Sequence, residues 1–93
     1  MKLSIIVPVF NSGKFINKLL SSINKQGNVI KDHQFIFVDN NSTDNTVKII
    51  EEWKKEMLGI EVVILNYMEK QSSYGARNFG VSNSEGNVLC FID

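Results

Sequence analysis

The stretch Leu3-Ser4-Ile5-Ile6-Val7-Pro8-Val9-Phe10, followed by Asn11-Ser12-Gly13, decides how this chain reads. Its apolar run is rich in β-branched residues and nearly unbroken, which suits a strand covered on both faces, as in a parallel sheet. Pro8 has no N–H to give to a ladder, so regular pairing should weaken there. Asn11-Ser12-Gly13 supplies turn and cap chemistry. Phe15, Ile16, Leu19, Leu20 and Ile23 then recur at helical spacing and predict one apolar stripe. Gln26-Gly27-Asn28 closes that helix.

The same grammar repeats downstream. Phe35-Ile36-Phe37-Val38 predicts a strand, and Asp39-Asn40-Asn41-Ser42-Thr43-Asp44 a polar loop with several candidate N-caps. Val47, Ile50, Trp53 and Met57 form the next helical stripe. Gly59 ends it, and Ile60 to Leu65 predicts a third strand. After a polar connection, Tyr74 to Val81 predicts a short helix. Ala76 and Gly80 lie one turn apart in it, small enough to let it approach a sheet closely. Asn83-Ser84-Glu85-Gly86 turns the chain into a last strand, Asn87 to Ile92, tipped by Asp93.

Strictly alternating strands and helices imply a parallel sheet with helices on its faces. Right-handed crossovers leave few topologies, and the half-Rossmann order 3-2-1-4 with three crossover helices is the natural one. The chain direction then reverses between the first and fourth strands. Ligands of open α/β sheets bind outside the carboxyl ends of the strands at such a point. That rule selects Pro8, Val9, Phe10 and Asn11, then Asp39 to Asn41, and Asp93.

Composition narrows the chemistry. The 93 residues fit a single domain, and 43% hydrophobic with 22% charged residues is ordinary for a globular chain. Ten basic residues balance ten acidic ones, so there is no electrostatic footprint for nucleic acid or an anionic membrane. Lys14, Lys18 and Lys25 read as a solvated helix face. Cys90, the single cysteine, can form no internal disulfide and reads as a small core residue rather than a reactive thiol. No signal peptide or membrane-spanning run is expected, and the setting predicted is cytoplasmic, with membrane association as part of a larger protein.

Pro8-Val9-Phe10-Asn11-Ser12-Gly13 is not a G-x-G-x-x-G turn, and no P-loop is present. His33, the one histidine, precedes the second strand and reads as a surface residue away from the crevice. At the crevice, Phe10 can stack on a nucleobase or serve as a core aromatic. Asp39 can accept from a base or ribose, or cap the second helix. Asn40 can both accept from a ring N–H and donate to a carbonyl, or be a turn residue. Arg77 can neutralise a diphosphate or pair on the surface. Asp93 can touch a divalent cation, although Mg²⁺ and Mn²⁺ need several oxygens.

Four segments in order carry a resemblance: Ser4-Ile5-Ile6-Val7-Pro8-Val9-Phe10-Asn11, Val38-Asp39-Asn40-Asn41-Ser42-Thr43-Asp44, Gly75-Ala76-Arg77-Asn78-Phe79-Gly80-Val81, and Gly86 to Asp93. The chain resembles the N-terminal, nucleotide-binding half of the inverting family 2 glycosyltransferases of GT-A fold, over essentially its whole length. The resemblance implies a nucleotide-diphosphate sugar donor, Mg²⁺ or Mn²⁺ for the whole enzyme, and an acceptor that is a saccharide or lipid-linked saccharide. It implies that Pro8 and Phe10 frame the base, and that Asp39 and Asn40 contact base and ribose. Gly75 and Arg77 would lie near the nucleotide, and Asp93 would be the first acid of a D-x-D metal motif. Asn40 departs from the more usual Asp, which leaves uridine, thymidine and guanosine donors open.

The second D-x-D acid and the general base fall beyond residue 93. The chain is therefore expected to be the donor half of a transferase cut at its metal motif, inactive alone. The alternative is a non-catalytic α/β module that binds a nucleotide or a protein. An uncovered fourth-strand edge would favour homo-oligomers.

Overall fold

The computed structural model describes residues 2–69, 73–86 and 88–91. It is a parallel α/β sheet with three helices. The strands are β1 (Leu3–Val9), β2 (Gln34–Asp39), β3 (Glu61–Asn66) and β4 (Val88–Phe91), in the order β3-β2-β1-β4. The helices are α1 (Ile16–Asn24), α2 (Thr46–Glu56) and α3 (Ser73–Ser82), with one 3₁₀ turn at Gly27–Ile30. Asp93 and the outer ends of the predicted last strand, Asn87 and Ile92, lie outside the described residues. The core role read for Cys90 lies outside them too; its backbone pairs with Ile5.

The side-chain alternation of strands sorts the apolar residues onto two faces. Val7, Val9, Phe35, Phe37 and Val62 point to the face covered by α1 and α2, where Ile16, Leu20, Ile23, Ile50 and Trp53 are buried against them. Ile6, Ile36 and Val38 point to the other face and meet Ala76, with Phe79 and Tyr67 packed beside them. β2 is buried along its whole length, as befits a strand with neighbours on both edges and helices on both faces. Trp53 sits edge-on to Phe35 and Phe37, at centroid distances of 6.4 and 5.8 Å, and its indole N–H donates to Asn24 Oδ1 at 2.9 Å.

The small residues of α3 do what their spacing predicts. Ala76 is buried, and a Cβ on Gly80 would lie 2.6 Å from Ile6 Cγ2. The last strand is entered just as tightly: a Cβ on Gly86 would lie 2.3 Å from the Ser4 backbone nitrogen.

Two expectations need correction. Phe15 is not on the buried stripe of α1; it is 71% exposed. It is the N-cap residue, with φ −116°, so its side chain leaves the line that the helical period draws through Ile16, Leu20 and Ile23. Pro8 does not interrupt pairing with β2, since the register continues to Val9↔Asp39. On the β4 side the described pairs end at Ile6↔Phe91.

The rim where the strands begin carries a polar network that the sequence did not announce. Buried Ser4 donates from Oγ to Gln34 Oε1 at 2.8 Å, and Gln34 Nε2 donates to Glu61 Oε2 at 2.5 Å. The N–H groups of Glu85 and Gly86 donate to Gln34 Oε1 and Ser4 Oγ. Lys2 bridges Glu61 at 3.0 Å and Glu85 at 3.5 Å. His33 is half-buried rather than a plain surface residue, and its Nδ1 accepts the Leu3 N–H at 3.1 Å.

Candidate functional site

At the opposite rim, where the strands end, β1 and β2 each run into a residue with left-handed backbone nearby: Asn11 at φ 46° and Asn41 at φ 60°. Asparagine tolerates that conformation better than most residues. The two loops are stitched together by their side chains. Asn11 N–H donates to Ser42 Oγ at 2.9 Å, and Asn11 Oδ1 accepts the Thr43 N–H at 2.8 Å and the Asp44 N–H at 3.3 Å. Ser12 N–H donates to Thr46 Oγ1 at 2.8 Å, and Gly13 N–H to Asp44 Oδ2 at 3.0 Å.

None of this loop's candidate caps is the N-cap residue of α2: that residue is Asn45, and no side-chain cap hydrogen bond is made there. Asp39, 5% exposed, takes the Ser42 N–H at 3.0 Å and the Ser42 hydroxyl at 2.5 Å, so it folds its own loop rather than capping the helix. Asp44 Oδ1 accepts the Thr46 N–H at 3.0 Å and the Thr46 hydroxyl at 2.5 Å. The Thr46 hydroxyl first, then the N–H groups of Thr46 and Gly13, hold the Asp44 carboxyl below the usual carboxylate range.

Asn40 is buried at 6% exposure. Its backbone N–H donates to Val9 O at 3.0 Å. Its side-chain nitrogen donates to the carbonyls of Tyr67 at 2.9 Å and Glu69 at 3.2 Å. Both amide hydrogens thus hold the segment after β3, which is also tied by the Tyr67 N–H to Asp39 O at 2.7 Å. Gly75 sits against the same segment: a Cβ there would lie 2.4 Å from the Tyr67 hydroxyl. Arg77 is half-buried on α3.

Phe10, 44% exposed, is a surface aromatic and not a core one. With Asn40, Asn41 and Glu69 it lines a pocket of about 230 Å³. Pro8 and Val9 line a different hollow of about 290 Å³, beside Phe15 and Leu19 of the α1 flank. Of the residues read from the sequence, the structure brings Phe10 and Asn40 to one pocket, with Asn11 in the loop after β1 and Asp39 at the end of β2. Glu69 was missed because a lone acid in a polar connection carries no local signal. Ser42, Thr43 and Asp44 were read as candidate caps and as part of a family segment, but not as the residues that tie the two loops together.

Among the described residues no group of three or more His, Cys, Asp or Glu is placed to hold a metal ion. The crevice acids Asp39 and Asp44 are both engaged within the protein. Those residues alone do not fit a divalent cation. Among them, too, no helix is long and apolar enough to cross a membrane.

Comparison with known proteins agrees with this geometry. The sequence profile of the family described as "Glycosyl transferase family 2" matches residues 4–93. Glycosyltransferase AglE of Haloferax volcanii is 34% identical over 90 residues, which cover 97% of this chain and 29% of AglE. The crystal structure of S. aureus TarS 1–349 in complex with UDP superimposes with a TM-score of 0.86 at 31% identity, covering 100% of this chain and 27% of that one. The mannosyltransferase PcManGT from Pyrobaculum calidifontis, in complex with GDP-Man and Mn²⁺, shares the fold with a TM-score of 0.84 at 22% identity, over 94% of this chain and 25% of that one. The chain thus spans well under half the length of these relatives.

Proposed function

Because the chain belongs to glycosyl transferase family 2, we propose that it forms the donor-nucleotide half of a transferase domain. In this reading it binds a nucleotide-diphosphate sugar whose sugar passes to an acceptor hydroxyl. The half-Rossmann reading of its sheet, with β1 and β4 flanking the crevice, belongs to the same proposal. The observation that carries it is the pocket at the ends of β1 and β2, where the exposed ring of Phe10 faces buried Asn40. An exposed aromatic beside fixed amide groups is a stacking platform with a polar edge, which is what a nucleobase needs.

TarS, which shares this fold at 31% identity, was solved in complex with UDP, and this supports a nucleotide as the ligand. At about 230 Å³ the pocket is smaller than the ~300–1,000 Å³ of whole-ligand sites, so it takes the base and leaves the sugar outside. Asn11 and Asp39 act on the ligand by holding the loops, and Gly75 lets α3 begin close to Tyr67. Arg77 is assigned to the diphosphate and Asp93 to the ribose and metal. The Mg²⁺ or Mn²⁺ of the whole enzyme would draw oxygens from the donor phosphates and from Asp93. The base that removes the acceptor proton is assigned to residues outside this chain. The chain, moreover, is proposed to self-associate through the outer edge of β4, where no strand pairs among the described residues.

The test is titration of the ¹⁵N-labelled chain with UDP, TDP and GDP, with and without Mn²⁺. The expected result is weak binding, with amide shifts centred on Phe10, Asn40 and Asn41. No shift with any nucleotide overturns the donor reading, and robust sugar transfer by this chain alone overturns the assignment of the base. Light scattering tests the edge: a monomer at high concentration rules out the self-association.

A further inference from the structure

We infer that Glu69 sets the base preference of this pocket and selects guanine over uracil and thymine; this rests on the donor-nucleotide reading above. The four described lining residues are unequal in what they can offer a base. Phe10 supplies a ring face, which stacks on any base and discriminates little. Asn40 has both amide hydrogens committed to the Tyr67 and Glu69 carbonyls. Its two amide donors are thus spent on the pocket wall, one of them on the backbone carbonyl of Glu69.

Glu69 lines the same pocket, is exposed, and its carboxylate has no hydrogen-bond or ion-pair partner among the described residues. Among the described lining residues it is the one acidic residue. Asp39, the nearest alternative, is buried and already accepts twice from Ser42. A carboxylate is an acceptor on both oxygens and presents no donor.

The Watson–Crick edges of the bases answer differently to that pair of acceptors. Guanine offers two adjacent donors, N1–H and N2–H₂, which match two carboxylate oxygens in a bidentate, charge-assisted pair. Uracil and thymine offer a single N3–H between two carbonyls, so a second carboxylate oxygen would face a lone pair. Adenine places a ring acceptor beside its amino group and fares no better. Asn41, on the same wall, carries an amide able to donate to guanine O6. The pairing therefore favours the guanine ring, whether it arrives as GDP or within a GDP-sugar.

The test is a set of dissociation constants for GDP, UDP and TDP with the wild-type chain, E69Q and F10A, followed by ¹⁵N NMR so that folding is seen in the same spectra. The wild-type chain is expected to bind GDP about tenfold or more tightly than UDP, since one good bidentate pair discriminates by ~1–3 kcal/mol and each 1.4 kcal/mol is tenfold. E69Q keeps one oxygen but replaces the other with a donor, and is expected to bring the two ligands to near-equal affinity. F10A is expected to weaken all three nucleotides alike and leave the ratio intact. A preference for UDP in the wild type, or a GDP preference that survives E69Q, overturns the assignment of Glu69 while leaving the donor pocket standing. Failure of every nucleotide to bind removes both.

Discussion

The side-chain oxygen of Asn11 accepts the backbone N–H of Thr43 at 2.8 Å, across 32 positions of sequence. Through this bond the loop after β1 holds the loop after β2, and the wall of the candidate pocket depends on both. The same oxygen also takes the Asp44 N–H, and the residue carrying it sits at φ 46°.

Asn11→Ala is therefore expected to lower stability by about 2 kcal/mol, combining lost hydrogen bonds at ~0.5–1.5 kcal/mol each with the left-handed backbone cost of ~1–2 kcal/mol. Asn11→Gly keeps the backbone freedom and should lose only the first part. Urea denaturation of the two variants separates the terms. Equal midpoints for wild type and Asn11→Ala would show that the loops hold without this residue.

Gly80 and Ile6 are in contact across the α3 face, with Ile6 fully buried. Alanine at 80 gains ~0.8–1 kcal/mol of helix propensity, but overpacking costs ~1–3 kcal/mol. Gly80→Ala is expected to be net destabilising, by about 1 kcal/mol. A double-mutant cycle with Ile6→Ala should show positive coupling, because shortening Ile6 gives the new methyl room. A stabilised Gly80→Ala would mean that α3 sits further from the sheet.

Hydrogen bonds from Lys2 first, then Gln34, hold the Glu61 carboxyl below its ordinary value of 4.5. A depressed carboxyl contributes stability that is complete above 4.5 and fades as pH falls through its lower folded value. Lys2 is raised above 10.5 chiefly by its hydrogen bond to Glu61, so its contribution is present below 10.5 and fades as pH rises through the higher folded value. Glu61→Gln should flatten both limbs of a stability–pH profile. Lys2→Met should remove the alkaline limb and leave a smaller acid limb from Gln34. Unchanged limbs in Glu61→Gln would place the titrating groups elsewhere.

Trp53 joins α2 to α1 through Asn24 and packs edge-on against Phe35 and Phe37. Trp53→Phe leaves the Asn24 amide oxygen without its indole donor and should cost about 1–2 kcal/mol. Asn24→Ala should cost a similar amount and, applied on top of Trp53→Phe, almost nothing further. Additive losses would show that the bond is not shared stabilisation.

Much of the fold was legible. The switch from short continuous apolar runs to a 3.6-residue period is written in local residue order, so the strands around Ile6, Ile36 and Val63 and the stripe through Ile16, Leu20 and Ile23 could be read directly. The close approach of α3 was legible in Ala76 and Gly80, because only small residues allow it. Phe15 was misread because the helical period says nothing about where the first turn begins, and a cap residue one position early points elsewhere.

The site was legible as a place more than as a set of contacts. Phe10 and Asn40 share a pocket at the ends of β1 and β2, but Asn40 spends its amide hydrogens on Tyr67 and Glu69. Gln34, polar and buried at the start of β2, gave no sign in the sequence of its partners Ser4 and Glu61.

From the sequence alone follow the alternation of strands and helices, the residues facing inward and the family. Each is carried by near neighbours along the chain or by short motifs. Only the tertiary structure decided which polar groups meet: Asn11 with Thr43, Asn40 with Glu69, Ser4 with Gln34. The physical reason is range. A hydrogen bond exists only within about 3 Å, and for groups some thirty residues apart that distance is set by packing the layers, not by the order of the residues.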